Sequence, residues 1–379
     1  MNNKDQLIHG QKILFITQCF PCGSWVCIEK IAERLSHKKS SVIVLGLGIP
    51  SENKSELKYI LIPFFAYTKY GNITCASPIL GFLWMLPLYF SAVSYSLFNN
   101  PKTIIYNGLT LGLVLSPFFK LIGKKNIIMY HSIIGDVGRT TKNILKVLFR
   151  SVDLVVVNST GMRDDLSEVV DKNKLVVNEH YADKIFFDSP KKRAKSHASL
   201  KILYAGRIDE DKRCFPLIEF AKNMKDNPNF EFTFVGAGSA VGTVSELHHE
   251  YKYIKYGGYI DDKKKLAKLY SEADVLWGFG DTTYLCLPAV EALACDTPII
   301  VPKYAAIANK DEIINESLVP SSIGWLVDPF DQEDIEKVLS RIRRNKEYLG
   351  KKCREYARRV YSSSNLLRTV KIIERKIGG

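Results

Sequence analysis

No internal repeat and no low-complexity tract breaks this chain of 379 residues, which sets aside solenoid, fibrous and disordered architectures. Its eight cysteines follow no disulfide-framework spacing, so a secreted cysteine scaffold is not indicated. Cys19-Phe20-Pro21-Cys22 has the C-x-x-C form, but small cysteines in a tight turn explain it better than a redox pair. Residues 1–12 are polar, and the apolar run Ile13 to Ile16 is too short for the core of a signal peptide. With the cysteine usage, this makes a reducing, cytoplasmic compartment the expectation. Zinc-ligand spacing and an aromatic RNA-recognition block are missing too, so no nucleic-acid partner is expected.

What is present is a globular composition, 46% hydrophobic and 25% charged, long enough for two α/β domains of about 190 residues each. The formal net charge of +13 favours anionic partners: a phosphate-bearing substrate or an acidic lipid surface. Basic residues are densest over 341–359, where a solvated helix face is the plain reading and a membrane or phosphate contact the alternative.

Short apolar runs alternate with helical patterns. Lys12 to Thr17 reads as a buried parallel strand, and a turn over Phe20 to Ser24 follows, with Ser24 as a candidate N-cap. Trp25, Ile28, Ile31, Ala32 and Leu35 then recur at helical spacing, and Ser41 to Leu45 is the next strand. Further strands are expected at 58–63, 103–106, 126–130 and 153–157, with helices near 109–122, 140–150 and 159–169. Residues 186–199 lose periodicity and gain charge, Pro and Ser, as a linker does. A second series follows, with strands at 201–205, 230–235, 273–277, 297–301 and 323–327. Its helices are expected at 213–226, 261–272, 287–295 and 304–316, and three basic helical segments close the chain. Two such series mean two doubly wound, Rossmann-like domains, with a ligand expected in a cleft at the carboxyl ends of their strands.

One stretch departs from the alternation. No charged residue falls between Lys69 and Lys102, and 79–98 is apolar and aromatic. Its length would span a bilayer, but Pro87 and three serines interrupt it inside a βα series. A buried helix, and a helix lying in a membrane interface with Trp84, Tyr89 and Tyr95 as anchors, remain the two readings.

Three places carry candidate chemistry. Gly206-Arg207-Ile208-Asp209-Glu210-Asp211-Lys212 follows a strand and opens a helix. A glycine permitting close backbone approach, the planar fork of Arg207 and the point charge of Lys212 make a diphosphate cradle. Fixed cations there would neutralise a departing nucleoside diphosphate without a metal. Asp209-Glu210-Asp211 has the D-x-D form of a metal site, but its place inside this turn argues against one. Glu291, among small and apolar residues, needs specific donors, for which ribose hydroxyls are suited; a helix cap or a pair with Arg207 is the alternative. His131, directly after a strand, would reach donor sugar or phosphate, or serve as a structural group.

These motifs, in this order, resemble the retaining glycosyltransferases of family 4, which have the GT-B fold. The resemblance runs through ILFITQCFP, YHS at 130–132, VDLVVVNST at 152–160, LYAGRIDEDK at 203–212, FTFVGAGS at 232–239, LPAVEALACDTPIIV at 287–301 and IGWLVDPFD at 323–331. It implies an acceptor domain over 1–190, a linker at 191–200, a nucleotide-sugar domain over 201–361, and a last helix near 362–379 returning to the first domain. It also implies transfer with retention, catalytic Arg207, Lys212 and His131, and a donor set of Gly206, Gly236, Tyr259, Asp281, Thr283, Leu287 and Glu291. Gly23 and Ser24 would face the acceptor.

The family's usual pattern has two glutamates with seven residues between. Glu291 fits the second, whereas the first falls on Thr283. That departure puts the identity of the donor in question and keeps a catalytically silent nucleotide-sugar binder as an alternative, beside a sugar-nucleotide epimerase on the same fold. The expected partners are a UDP- or GDP-sugar, a lipid-linked or surface-glycan acceptor and an anionic membrane, met at the inner face of the cytoplasmic membrane. No cofactor or metal is expected.

Overall fold

The computed structural model describes residues 10–20, 23–37, 40–48, 57–62, 78–131, 134, 137–189, 199–209, 214–224, 227, 229–278, 285–303, 319 and 321–378. The chain forms two compact units, one of Met1–Glu179 with Leu366–Gly379, the other of His180–Asn365.

The first unit is built on seven parallel strands: β1 (Lys12–Phe20), β2 (Ser41–Gly48), β3 (Lys58–Ile62), β4 (Thr103–Asn107), β5 (Lys125–Tyr130), β6 (Leu154–Val157) and β7 (Leu175–Val177). Their order is β3-β2-β1-β4-β5-β6-β7, so the chain starts in the middle, winds to one edge and returns to build the other. Ile13 pairs with Val42 on one side and Thr103 on the other. Successive residues of a strand face opposite sides, yet Ile13, Leu14, Phe15 and Ile16 are all buried. Both faces are therefore covered, which is why these strands read as unbroken apolar runs.

Helix α1 (Gly23–His37) buries the stripe Trp25, Ile28, Ile31, Ala32 and Leu35 that its spacing announced. It starts at Gly23, so Ser24 lies inside the first turn and is not the N-cap. The apolar stretch is α2 (Pro78–Asn99), which contains Pro87. Among the described residues no helix is long and apolar enough to cross a membrane. Leu88, Tyr89, Ala92 and Ser96 are buried, whereas Phe90, Leu97 and Phe98 are exposed. Tyr89 thus faces the core and is no interfacial anchor; Tyr95 is half-buried, and the Trp84 side chain lies outside the described residues.

Helices α3 (Leu109–Leu121), α4 (Arg139–Leu148) and α5 (Thr160–Leu166) complete the series. Ser159 caps α5 by accepting the Met162 N–H at 3.1 Å. The helix over Ser363–Gly378 closes the chain, and Lys125 Nζ donates to the carbonyls of Lys376 and Ile377, both at 3.0 Å, at its carboxyl end. Arg368 and Thr369 of the same helix bond to the segment after β6, the latter to Asn178 Oδ1 at 2.5 Å.

The second unit has six parallel strands: β8 (Leu200–Ala205), β9 (Phe230–Val235), β10 (Ile254–Tyr256), β11 (Val275–Trp277), β12 (Ile299–Pro302) and β13 (Gly324–Val327), in the order β10-β9-β8-β11-β12-β13. Alternation divides its core. Ile202, Tyr204, Phe232 and Phe234 pack with α7 (Phe215–Asn223) and α8 (Val241–Glu250) on one side. Leu203, Val235, Leu276 and Ile299 pack with α9 (Lys263–Glu272) and α10 (Leu287–Ala294) on the other.

Ala182 and Phe186, around the short helix α6 (Lys184–Phe187), belong to this second core, so the units divide before residue 190. The strands β7 and β10 and the helix α8 carry no periodic signal strong enough to announce them, two of them being three residues long. The expected helix at 304–316 lies outside the described residues. In place of three basic segments at the end, α11 runs unbroken over Gln332–Val360 and is followed by the closing helix, α12. Arg354 of α11 is buried, 2.8 Å from the Asp296 carboxylate, and also donates to the carbonyls of Phe187 and Ser189. Asp296 itself takes φ +64 in the turn after α10. Cys214, Cys295 and Cys353 are buried and unbonded to one another.

Candidate active site

In the second unit, the ends of β8 and β9 cross backbone to backbone. Gly206 N–H donates to Val235 O at 3.0 Å, Ile208 N–H to Ala237 O at 3.0 Å, and Ala240 N–H to Ile208 O at 2.9 Å. Gly206 and Gly236 hold φ +155 and +146, and a Cβ on Gly236 would lie 1.7 Å from the Gly206 carbonyl oxygen. Only two glycines allow this crossing, and it leaves bare backbone at the carboxyl ends of two central strands, where open α/β sheets bind ligands. Gly236 N–H also donates to Gly258 O at 2.9 Å, which ties in the segment carrying Tyr259. Tyr259 is 60% exposed.

Arg207 follows Gly206 directly. Its carbonyl accepts the Tyr204 hydroxyl at 2.6 Å, and its guanidinium Nη1 lies 3.3 Å from Asp209 Oδ2. The other oxygen of Asp209 accepts the Ser239 N–H at 2.9 Å. Asp209 therefore clamps the β8 loop to the β9 loop while engaging one edge of the Arg207 fork. The D-x-D carboxylate is committed to this turn, and Asp211 lies outside the described residues. Among the described residues, no group of three His, Cys, Asp or Glu side chains is arranged to hold a metal. Lys212, Asp281 and Thr283 also lie outside the described residues, as do the side chains of Gly23 and Ser24.

Glu291 is on α10, one turn after its half-buried first residue, Leu287. It is 8% exposed, and the Tyr270 hydroxyl of α9 donates to Oε2 at 3.1 Å. Burial drives its carboxyl up to about 8, against the smaller opposing pull of the Tyr270 bond and of Lys263. It neither caps a neighbouring helix nor pairs with Arg207: the two sit in separate networks. At neutral pH the side chain is mostly a neutral acid, held ready to ionise when stronger donors arrive.

In the first unit, His131 follows β5 and Asn158 follows β6, and Tyr130 pairs with Val157 just before them. Asn158 Nδ2 donates to His131 Nδ1 at 2.7 Å. Burial pushes the imidazole down to about 4, so the ring is neutral. With Nδ1 accepting, the proton sits on Nε2, which makes His131 a hydrogen-bond donor and not a cation. Asn158, Asp209 and Tyr270 are the partners that motif reading passed over. For Asn158 a signal existed: it is the first polar residue after its strand, in register with His131 after the neighbouring one.

Residues 186–360 match the family model described as "Glycosyl transferases group 1". No curated protein matches the chain by sequence. Solved structures match over nearly all of it. Sucrose-phosphate synthase from Thermosynechococcus elongatus is 18% identical at a TM-score of 0.70, covering 96% of this chain and 98% of that one. HepE from Anabaena, in complex with UDP, is 15% identical at 0.67, covering 96% and 99%. The lipopolysaccharide outer core galactosyltransferase WaaB is 16% identical at 0.64, covering 96% and 100%. At these identities the likeness is one of fold: two Rossmann-like units in the GT-B arrangement. With its group 1 domain over residues 186–360, the chain is a glycosyltransferase of the GT-B fold.

Proposed function

We propose that this enzyme moves a sugar, with retention, from a UDP- or GDP-sugar to a lipid-linked or surface-glycan acceptor at the inner face of the cytoplasmic membrane. The observation carrying the donor half is the glycine crossing after β8 and β9, with Arg207 held at its lip by Asp209. A diphosphate approaching bare backbone would meet the Arg207 fork directly, and Lys212 five residues on would add a second positive charge. These two cations, and no metal, neutralise the leaving nucleoside diphosphate. Glu291 accepts the ribose hydroxyls, and the Nε2–H of His131 donates to sugar or phosphate. Tyr259, Leu287, Asp281 and Thr283 complete the donor set, with Thr283 standing where the family pattern has a glutamate. Gly23 and Ser24 face the acceptor. HepE, a structure of the same fold, was solved with UDP and glucose, which supports a uridine donor. The acceptor half draws on the apolar α2, the positive charge, and neighbours of this fold that act in lipopolysaccharide synthesis.

Arg207→Ala and Lys212→Ala are each expected to lower turnover by roughly two to three orders of magnitude, as for the loss of one preorganised charge. Transfer from UDP- and GDP-sugars to extracted lipid acceptors measures it, and near-normal rates in both variants would refute the cradle. Thermal shifts across UDP-, GDP- and ADP-sugars identify the base.

A further inference from the structure

Surface helices bury one stripe and show water a polar one. Three helices of the first unit do otherwise. On α2 the outward positions Pro87, Phe90, Leu97 and Phe98 follow helical spacing and are exposed, Phe98 by 88%. On α3 the outward stripe is Val114, Phe118 and Leu121, the last 87% exposed, while Leu111, Leu115 and Phe119 face the sheet. On α4 no residue is buried, and Ile144 and Val147 are both more than half exposed. Of the twelve large apolar side chains exposed among the described residues, nine fall on these helices and the residue capping α3. Such concentration is not the scatter of single apolar residues that ordinary surfaces carry.

The topology gathers them. β3→β4, β4→β5 and β5→β6 all step in one direction across the sheet, so right-handed crossovers put α2, α3 and α4 on the same face. α2 lies against β1 and β2, and α3 lies against β4 and β5 and touches α4. Lys124, just past α3, donates to Asn100 Oδ1, just past α2, so the carboxyl ends of these two helices meet beside Phe98 and Leu121.

The charge around this face is predominantly positive. Between Leu57 and Val152 the sequence has ten lysines and arginines and one acid, Asp136, and α2, α3 and α4 contain no acid at all. Arg139, Lys146 and Arg150 are exposed on and beside α4, and Lys102 lies just past α2. Two acids from outside that stretch meet it, Asp153 on Lys120 at 2.6 Å and Glu168 on Lys142 at 2.7 Å, and the rim keeps a clear positive excess, which matches a bilayer of acidic phospholipid: acyl chains beneath, phosphates at the rim. A protein partner would call for a rim of balanced charge rather than this positive excess.

We propose that the outward face of α2, α3 and α4 is the surface by which this protein docks on an anionic phospholipid membrane. It rests on the membrane reading above and moves its centre from 79–98 to three helices. The face lies on the outer side of the helix layer, apart from the carboxyl strand ends where His131 stands, so docking leaves that end open.

The test is co-sedimentation with vesicles of mixed phosphatidylglycerol and phosphatidylcholine, beside vesicles of phosphatidylcholine alone. Wild type is expected to bind the mixed vesicles at low salt, release as salt rises, and ignore the neutral ones. Phe98→Asp with Leu121→Asp, and separately Arg139→Glu with Lys146→Glu, are each expected to weaken partition by about tenfold or more. All four side chains are outside the core, so melting temperature and the thermal shift with UDP should stay at wild-type values. Failure of wild type to bind mixed vesicles would overturn the membrane reading and this surface together. Binding by wild type and equally by both variants would overturn this surface alone. Light scattering that shows a wild-type dimer broken by the variants would make the face an interface between copies of the chain, and refute it.

Discussion

Replacing Glu291 by glutamine isolates the cost of keeping a carboxyl in the core of the second unit. Burial raises this group from its ordinary 4.5 to about 8. Between those two values the folded protein holds a proton that the unfolded chain has released, so stability falls as pH rises through the window. Each unit costs about 1.4 kcal/mol, which accumulates over 2.5 units to about 3 kcal/mol at pH 7. Glutamine does not titrate, and its amide oxygen still accepts the Tyr270 hydroxyl. Glu291→Gln is therefore expected to be about 3 kcal/mol more stable than wild type at pH 7, with the gap closing near pH 4.5 and widening to about 5 kcal/mol above pH 8. Urea unfolding across that range measures it. A gap that does not change with pH would show that the carboxyl is not protonated in the folded protein, and the reasoning would fail. Function runs the other way. In the function proposed above, ribose hydroxyls donate to the ionised form, so nucleotide binding at pH 7 should release a proton, visible by calorimetry in buffers of different ionisation heat. The glutamine variant should release none and bind more weakly.

Three further outcomes follow from the packing. Gly236→Ala forces a methyl against the Gly206 carbonyl at a φ that alanine avoids, and is expected to cost at least about 2 kcal/mol and to abolish the thermal shift with UDP. Arg354→Met strands the buried Asp296 carboxylate and should cost about 3–5 kcal/mol, most of it recovered on adding Asp296→Asn, since asparagine tolerates the positive φ there; denaturant unfolding of the four proteins in the cycle reads this. Asn158→Asp places a carboxylate on the His131 ring and should raise its titration from about 4 by about one to three units in an NMR pH series, whereas a distant Asn158 would leave it unmoved.

Short apolar runs made β1, β2, β4, β5 and β8 readable in the sequence, because a strand covered on both faces takes apolar residues at most positions, and β9 shows instead an alternation of phenylalanines with Glu231 and Thr233. The same argument could not find β7 or β10, whose three residues carry too little pattern to outweigh their surroundings. α11 was read as broken because its long stretches of charge hide a continuous backbone, which 29 residues of helix formers sustain with Gly350 among them. Near the site, the burial of Glu291 was legible from its small neighbours, but its tyrosine partner lies 21 residues away on another helix. The place of Asp209 inside the Arg207–Lys212 turn argues against a metal, but sequence spacing cannot show the Ser239 N–H that the carboxylate meets across the strand gap. Trp84, Tyr89 and Tyr95 were taken together because aromatics suit interfaces, yet which side of α2 each occupies depends on where the sheet lies.

The first unit is discontinuous in the chain. Its seven strands are complete by Val177, but the helix whose carboxyl end receives Lys125 begins only at Ser363, when nearly all of the second unit has been made. A ribosome thus delivers every strand of this sheet long before the piece that finishes its cover, and the second unit can fold in the interval as an uninterrupted stretch. During that interval the nascent first sheet waits on translation itself, and a stop codon anywhere beyond residue 180 but ahead of α12 leaves both units damaged, one of them by the loss of a segment it never adjoins in sequence.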